Sequence, residues 1–153
     1  MRFFVSLFVL AISASAQADS NVKSFGIVGM AEGQTARLNV LNVGGQGQAA
    51  QCIASLVFLS DQGEVLKVRT LSVLPGRSVS LDLDADTDLE LAASQRRQIR
   101  AALAQLPATG SQENASCVLA PTLEIFDRLT GKTSIIMTNS IPIPQPPPSA
   151  TQP

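Results

Sequence analysis

The chain has 153 residues with 11 basic and 12 acidic side chains, so its formal net charge is −1. This near-neutral balance offers no basic face, and we therefore expect neither nucleic acid nor an anionic membrane as a partner. Histidine, tyrosine and tryptophan are absent. The lack of histidine excludes Ser-His-Asp and Cys-His nucleophile systems as well as histidine-based zinc sites.

The first eighteen residues have the pattern of a secretory signal peptide. Arg2 precedes an apolar run over residues 3–12, and small residues follow up to Ala16-Gln17-Ala18. The run is too short to cross a bilayer core of about 30 Å as a helix. We predict cleavage after Ala18, with cleavage after Ala16 as the alternative. The mature chain is then exported to the periplasm or the cell exterior, without insertion into a membrane.

Short apolar runs separated by turn residues follow the leader. They predict strands over residues 25–30, 35–43, 52–59, 64–73, 78–83, 118–126 and 133–137. In the second of these runs Ala36, Leu38 and Val40 alternate with polar residues, which is the period of a half-buried strand. Residues 25–30 are a candidate edge strand that could pair with a partner.

Residues 89–106 carry two patterns at once. Leu89, Ala92, Ile99 and Leu103 have roughly helical spacing, and the composition favours a helix. Residues 99–103 also alternate as a strand does, and a sandwich needs a further strand here to complete a sheet. We predict a short helical turn near 89–93, followed by a strand from about residue 97 to residue 106.

The two cysteines, Cys52 and Cys117, predict a disulfide, because a lone pair in an exported protein is most simply oxidised. Such a bond closes a loop of about 65 residues. In the chain-entropy model it stabilises the fold by at most about 4 kcal/mol.

The acidic run over residues 82–90 holds the candidate metal ligands, namely Asp84, Asp86 and Asp88. Alternating carboxylates supply the oxygen atoms that calcium prefers. The spacing does not match a helix–loop–helix calcium loop, whose sixth position requires glycine and whose twelfth requires glutamate. The competing interpretation is a solvated strand end, and we assign no metal, cofactor or catalytic residue.

A basic cluster lies shortly after this run, at Arg96, Arg97 and Arg100. It could pair with the acidic run or meet an anionic partner, and an exposed ion-paired surface is the expectation. Beyond Thr138 the composition becomes rich in proline. Residues 141–153 are therefore predicted to be a disordered or polyproline II tail.

The sequence segments 32–40 and 74–83 resemble the hairpins of bacterial immunoglobulin-like domains. Residues 123–133 are similar to the final hairpin of such domains. The resemblance covers roughly residues 25–137. The chain most resembles small exported bacterial proteins whose function is unknown. This resemblance implies a sandwich fold and a secreted, non-catalytic role. It carries over no functional residue. The absence of tryptophan between the cysteines separates the chain from antibody-type domains.

These observations predict an antiparallel immunoglobulin-like β-sandwich of seven or eight strands over residues 19–140. We expect an exported, non-enzymatic module that binds a protein or serves as a structural component of the envelope or the cell exterior. The alternative is a carboxylate-based hydrolase or a calcium-binding module that uses the acidic run, Asp82 to Glu90.

Overall fold

The computed structural model describes residues 21–44, 51–106 and 117–138, which form eight strands. Their bounds are β1 (Asn21–Ala31), β2 (Gln34–Asn42), β3 (Cys52–Ser60), β4 (Val65–Val73), β5 (Ser78–Asp84), β6 (Arg96–Leu106), β7 (Leu119–Asp127) and β8 (Thr133–Thr138). β2, β3, β6 and β7 largely alternate buried and half-buried side chains, as the period-two pattern of a strand predicts.

The strands form two four-stranded antiparallel sheets. Sheet I has the order β1-β6-β3-β4, and sheet II has the order β5-β2-β7-β8. The predicted antiparallel β-sandwich is confirmed. β1 is an edge strand of sheet I, as expected for residues 25–30, and β4, β5 and β8 are the other edges.

The core lies between the sheets and is built from the inward row of each strand. In β3 this row is Cys52, Ala54, Leu56 and Phe58, all at most 1% exposed. The predicted disulfide between Cys52 and Cys117 is present, with a Cα–Cα distance of 5.6 Å. Because Cys117 precedes β7 by two residues, the bond links sheet I to sheet II.

The predicted helical turn near residues 89–93 is wrong, whereas the strand that follows it is confirmed as β6. The described residues contain no helix, and residues 85–88 form hydrogen-bonded turns instead. Glu90 has a φ of 52° and Ser94 a φ of 67°, so a right-handed helix cannot continue through them.

The predicted signal peptide and the predicted proline-rich tail both lie outside the described residues, so these two predictions stand as made. Within the described part of the chain there is no helix of the length and apolar character needed to cross a bilayer.

Candidate functional site

The acidic run occupies the end of β5 and the loop that leads to β6. Asp84 Oδ1 accepts hydrogen bonds from the backbone N–H groups of Asp86 at 2.9 Å and Thr87 at 3.0 Å. Asp88 Oδ2 accepts one from the N–H of Asp84 at 2.8 Å. These bonds fix the loop from within, and they use carboxylate oxygens that a metal ion would need.

Cations from distant parts of the chain also bind these carboxylates. Arg128, in the β7–β8 turn, donates from Nη1 to Asp84 Oδ2 at 2.8 Å and from Nη2 to Asp86. Lys67, in β4, donates to Asp88 Oδ2 at 2.6 Å. The three candidate metal ligands therefore each face a cation. No group of three or more Cys, Asp or Glu side chains in the described ranges is placed to hold a metal ion.

The carboxylate of Asp84 is stabilised in its charged form. Burial by itself raises its pKa. The N–H groups of Thr87 and Asp86 and the guanidinium of Arg128 outweigh that cost, so the pKa of Asp84 lies below its ordinary value of 3.8. A general acid would require the opposite shift, toward neutral pH.

Asp82 and Glu90, at the two ends of the acidic run, do not share the contacts of Asp84, Asp86 and Asp88. Asp82 receives two hydrogen bonds from Arg37, each 2.7 Å long, and Arg37 also stacks over the ring of Phe126 at 5.1 Å. Glu90 is exposed. The run is thus spread over an ion-paired surface that connects loops, and its carboxylates do not converge on one concavity.

The outer face of sheet I is rich in apolar side chains, although Ser24, Ser55, Thr70, Ser72 and Arg100 also lie on it. Cross-strand partners share a face of a sheet, so the register places five exposed apolar side chains on this outer face. These five are half of the ten large apolar side chains that are exposed in the described residues. They are Val22, Ile27, Val65, Val68 and Leu106, and the half-buried side chains between them are Ile53, Val57, Leu59, Ala102 and Ala104. We call these ten side chains the apolar face.

The outer face of sheet II has a different chemistry. Arg37 and Asp82 form an ion pair there, and Asn39 Nδ2 donates to Glu124 Oε1 at 3.1 Å. A β-sandwich needs only one apolar face per sheet for its core, so the second apolar side of sheet I is not explained by folding. It is the main functional candidate on the molecule.

Sequence reasoning did not identify the apolar face, although β3 carries its signal. Residues 52–59 are apolar at almost every position, without the polar alternation seen in β2. Such a run is typical of a strand covered on both sides. The neighbouring strand β6 has alanine at positions 102 and 104, where polar residues would be expected on an exposed face.

The arginine cluster lies beside this face and does not pair with the acidic run. Among the described carboxylates, none forms an ion pair with Arg96, Arg97 or Arg100. Pairing of this cluster with the acidic run is not observed, because the topology brings Arg128 and Lys67 to the acidic loop instead. Arg100 lies between Ile27 and Leu59 on the apolar face, and its Nε is buried without a hydrogen-bond acceptor.

At the side of the sandwich where β4 and β5 are the edge strands, these two strands border an open groove of about 410 Å³. Lys67 and Arg69 of β4 pair with the buried Phe58 and Leu56, so they occupy the inner row of an edge strand. Inward-pointing charges of this kind protect an edge strand from pairing with another chain.

Comparison of the chain with protein-family models, with curated proteins and with solved structures finds no match.

Proposed function

We propose that this chain is an exported, non-catalytic β-sandwich module that acts by binding a protein through sheet I. The observation that carries the proposal is the apolar face: a folded monomer gains nothing from exposing five large apolar side chains on one sheet. Burial of apolar area is the main driving force of protein association. A partner that covers this face would remove its contact with water.

An exported location, in the periplasm or outside the cell, fits the chemistry of the two cysteines. The Cys52–Cys117 bond persists only where thiols are not kept reduced. The signal-peptide pattern of residues 1–18 points in the same direction.

The alternative, a hydrolase or calcium site on the acidic run, has less support. Asp84, Asp86 and Asp88 are each hydrogen-bonded to a backbone N–H and ion-paired with Arg128 or Lys67. A metal ion or substrate would first have to displace those cations. A purely structural envelope role remains compatible with the fold, but it leaves the apolar face without an explanation.

The test is affinity capture of the mature chain, residues 19–153, from its native extract under non-reducing conditions. The discriminating variant combines Ile27→Lys with Val68→Lys, at positions that are 57% and 56% exposed on the apolar face. The matched control is Ile136→Lys, at a 65% exposed position on the outer face of sheet II.

We expect the double variant to lose a partner that the wild type and the Ile136→Lys control both retain. Circular dichroism of all three proteins establishes that they are folded. If the double variant retains every partner of the wild type, the proposed function is wrong.

A further inference from the structure

The four edge strands of the sandwich differ in how well they are protected from pairing with another chain. β4 carries Lys67 and Arg69 on its inner row, and a bulge interrupts its pairing with β3. β5 and β8 are short, with seven and six residues, and β8 also carries a bulge. Short length, bulges and inward charge are the usual means of blocking an edge.

β1 is the longest of these edges, and its bulge and its inward charge are both confined to its first half. It has eleven residues, lacks proline and contains a single charged side chain, Lys23. Lys23 pairs with the buried Leu103, so it lies on the inner row, and its Nζ donates to the backbone carbonyl of Leu119 in sheet II at 2.8 Å. Like the inner charges of β4, it protects the part of the edge where it lies. One bulge, between Ser24 and Ile27, leaves residues 27–31 as a regular stretch.

Gly29 allows a cation to reach across this regular stretch. A β-carbon at position 29 would lie 3.0 Å from both Cζ and Nη2 of Arg96, and closer still to Nε. The Arg96 side chain therefore crosses β1 through the space that glycine leaves. Its guanidinium, which has no described carboxylate partner, lies over the strand that forms the open edge.

We infer that β1 accepts an extended segment of a partner protein as a fifth strand of sheet I. The segment has apolar side chains beside Ile27 and a carboxylate that Arg96 holds above Gly29. This inference rests on the proposed function, because it specifies which kind of protein segment the module binds. It follows the known mode of strand addition, in which backbone hydrogen bonds give affinity and alternate side chains give specificity.

A second copy of this chain is disfavoured at the same edge in the register centred on Gly29. Antiparallel pairing of β1 with its copy, centred on Gly29, would place two Arg96 side chains next to each other. Like charges directly opposite each other destabilise a pair of strands. The chemistry of the edge thus favours a partner strand that carries negative charge.

The test uses a capped nine-residue peptide, Val-Thr-Val-Thr-Glu-Thr-Val-Thr-Val, labelled through a Gly-Ser linker. Its twin has Gln in place of Glu. Binding to the oxidised mature chain and to its Arg96→Gln and Arg96→Lys variants is followed by fluorescence anisotropy. We expect Gln to weaken binding to the wild type by about threefold to tenfold, and to have little effect with Arg96→Gln. Arg96→Lys should restore part of the preference for Glu.

Backbone pairing is tested with two N-methylated forms of the Glu peptide. One is methylated at three odd positions and the other at three even positions. In a strand, alternate N–H groups point to opposite edges. Addition to β1 therefore predicts that one form loses at least tenfold in affinity while the other binds as the parent does.

The inference is overturned if the wild type does not bind the Glu peptide, or if both methylated forms behave alike. It is also overturned if the preference for Glu survives in Arg96→Gln. Each of these results leaves the affinity-capture test of the proposed function unaffected, so the two failures are distinguishable.

Discussion

Arg128 and Asp84 connect two loops that lie 44 residues apart in the sequence. The Nη1 of Arg128, in the β7–β8 turn, donates to Oδ2 of Asp84, at the end of β5, at 2.8 Å. The same guanidinium also holds Asp86, whose Oδ1 accepts the N–H of Gly33 in the β1–β2 turn at 2.8 Å. Three connections between strands are thereby joined at one end of the sandwich.

Arg128→Ala should therefore destabilise the fold. Loss of two ion pairs leaves Asp84 and Asp86 without their cation. We expect a decrease of about 1 kcal/mol in the free energy of unfolding, since the arginine is partly exposed to solvent. Urea denaturation at pH 7 measures this decrease in the free energy of unfolding. Lys132→Ala removes an equal charge from the same turn, and no ion pair of Lys132 with a described carboxylate is lost. Equal effects of the two substitutions would contradict the assigned role of Arg128.

The lowered pKa of Asp84 predicts that stability depends on pH on the acid side. A carboxyl group with a lower pKa in the folded than in the unfolded chain adds stability above the unfolded value, here about 3.8. That contribution is lost as the pH falls through the folded pKa. The urea midpoint of the wild type should decrease as the medium is acidified below about pH 3.8. Asp84→Asn should start from a lower midpoint at pH 7 and decline less. An unchanged slope in this variant would contradict the prediction.

The sequence predicts the strands of this fold well because period-two alternation is a local property. The outcomes for β2 and β3 illustrate this, since their inward rows follow directly from the pattern. The failed helical turn near residues 89–93 has a local cause as well. The helical spacing of Leu89 and Ala92 is interrupted by Glu90 and Ser94, whose φ angles of 52° and 67° are left-handed.

The candidate site could not be predicted, because it depends on which strands become neighbours. β6 inserts between β1 and β3, and this arrangement places Arg100 between Ile27 and Leu59. Nothing local to Arg96, Arg97 and Arg100 indicates that the acidic run a few residues earlier would pair with Lys67 and Arg128 instead. Long-range topology decides which described cations pair with the acidic run.

The link between the sheets predicts a large effect of reduction. The bond between Cys52 and Cys117 closes a loop across 65 residues of sequence, and in the chain-entropy model it adds up to about 4 kcal/mol. Urea unfolding with and without dithiothreitol should show a clearly lower midpoint under reducing conditions. A variant with Cys52→Ala and Cys117→Ala should have the urea midpoint of the reduced wild type. Its midpoint should not change when dithiothreitol is added. If dithiothreitol leaves the wild-type midpoint unchanged, the bond does not stabilise the fold as predicted.

The inward charge on β4 predicts a specific change in self-association. Arg69 pairs with the fully buried Leu56, yet its own side chain is exposed at the open groove. Arg69→Val would make the inner row of this edge apolar and remove a barrier to pairing between chains. We expect the variant to remain folded but to form oligomers at concentrations where the wild type stays unchanged, as measured by light scattering. Arg77→Val removes the same charge from the β4–β5 turn and should not associate. If both variants associate equally, net charge rather than the edge position of Arg69 controls the behaviour.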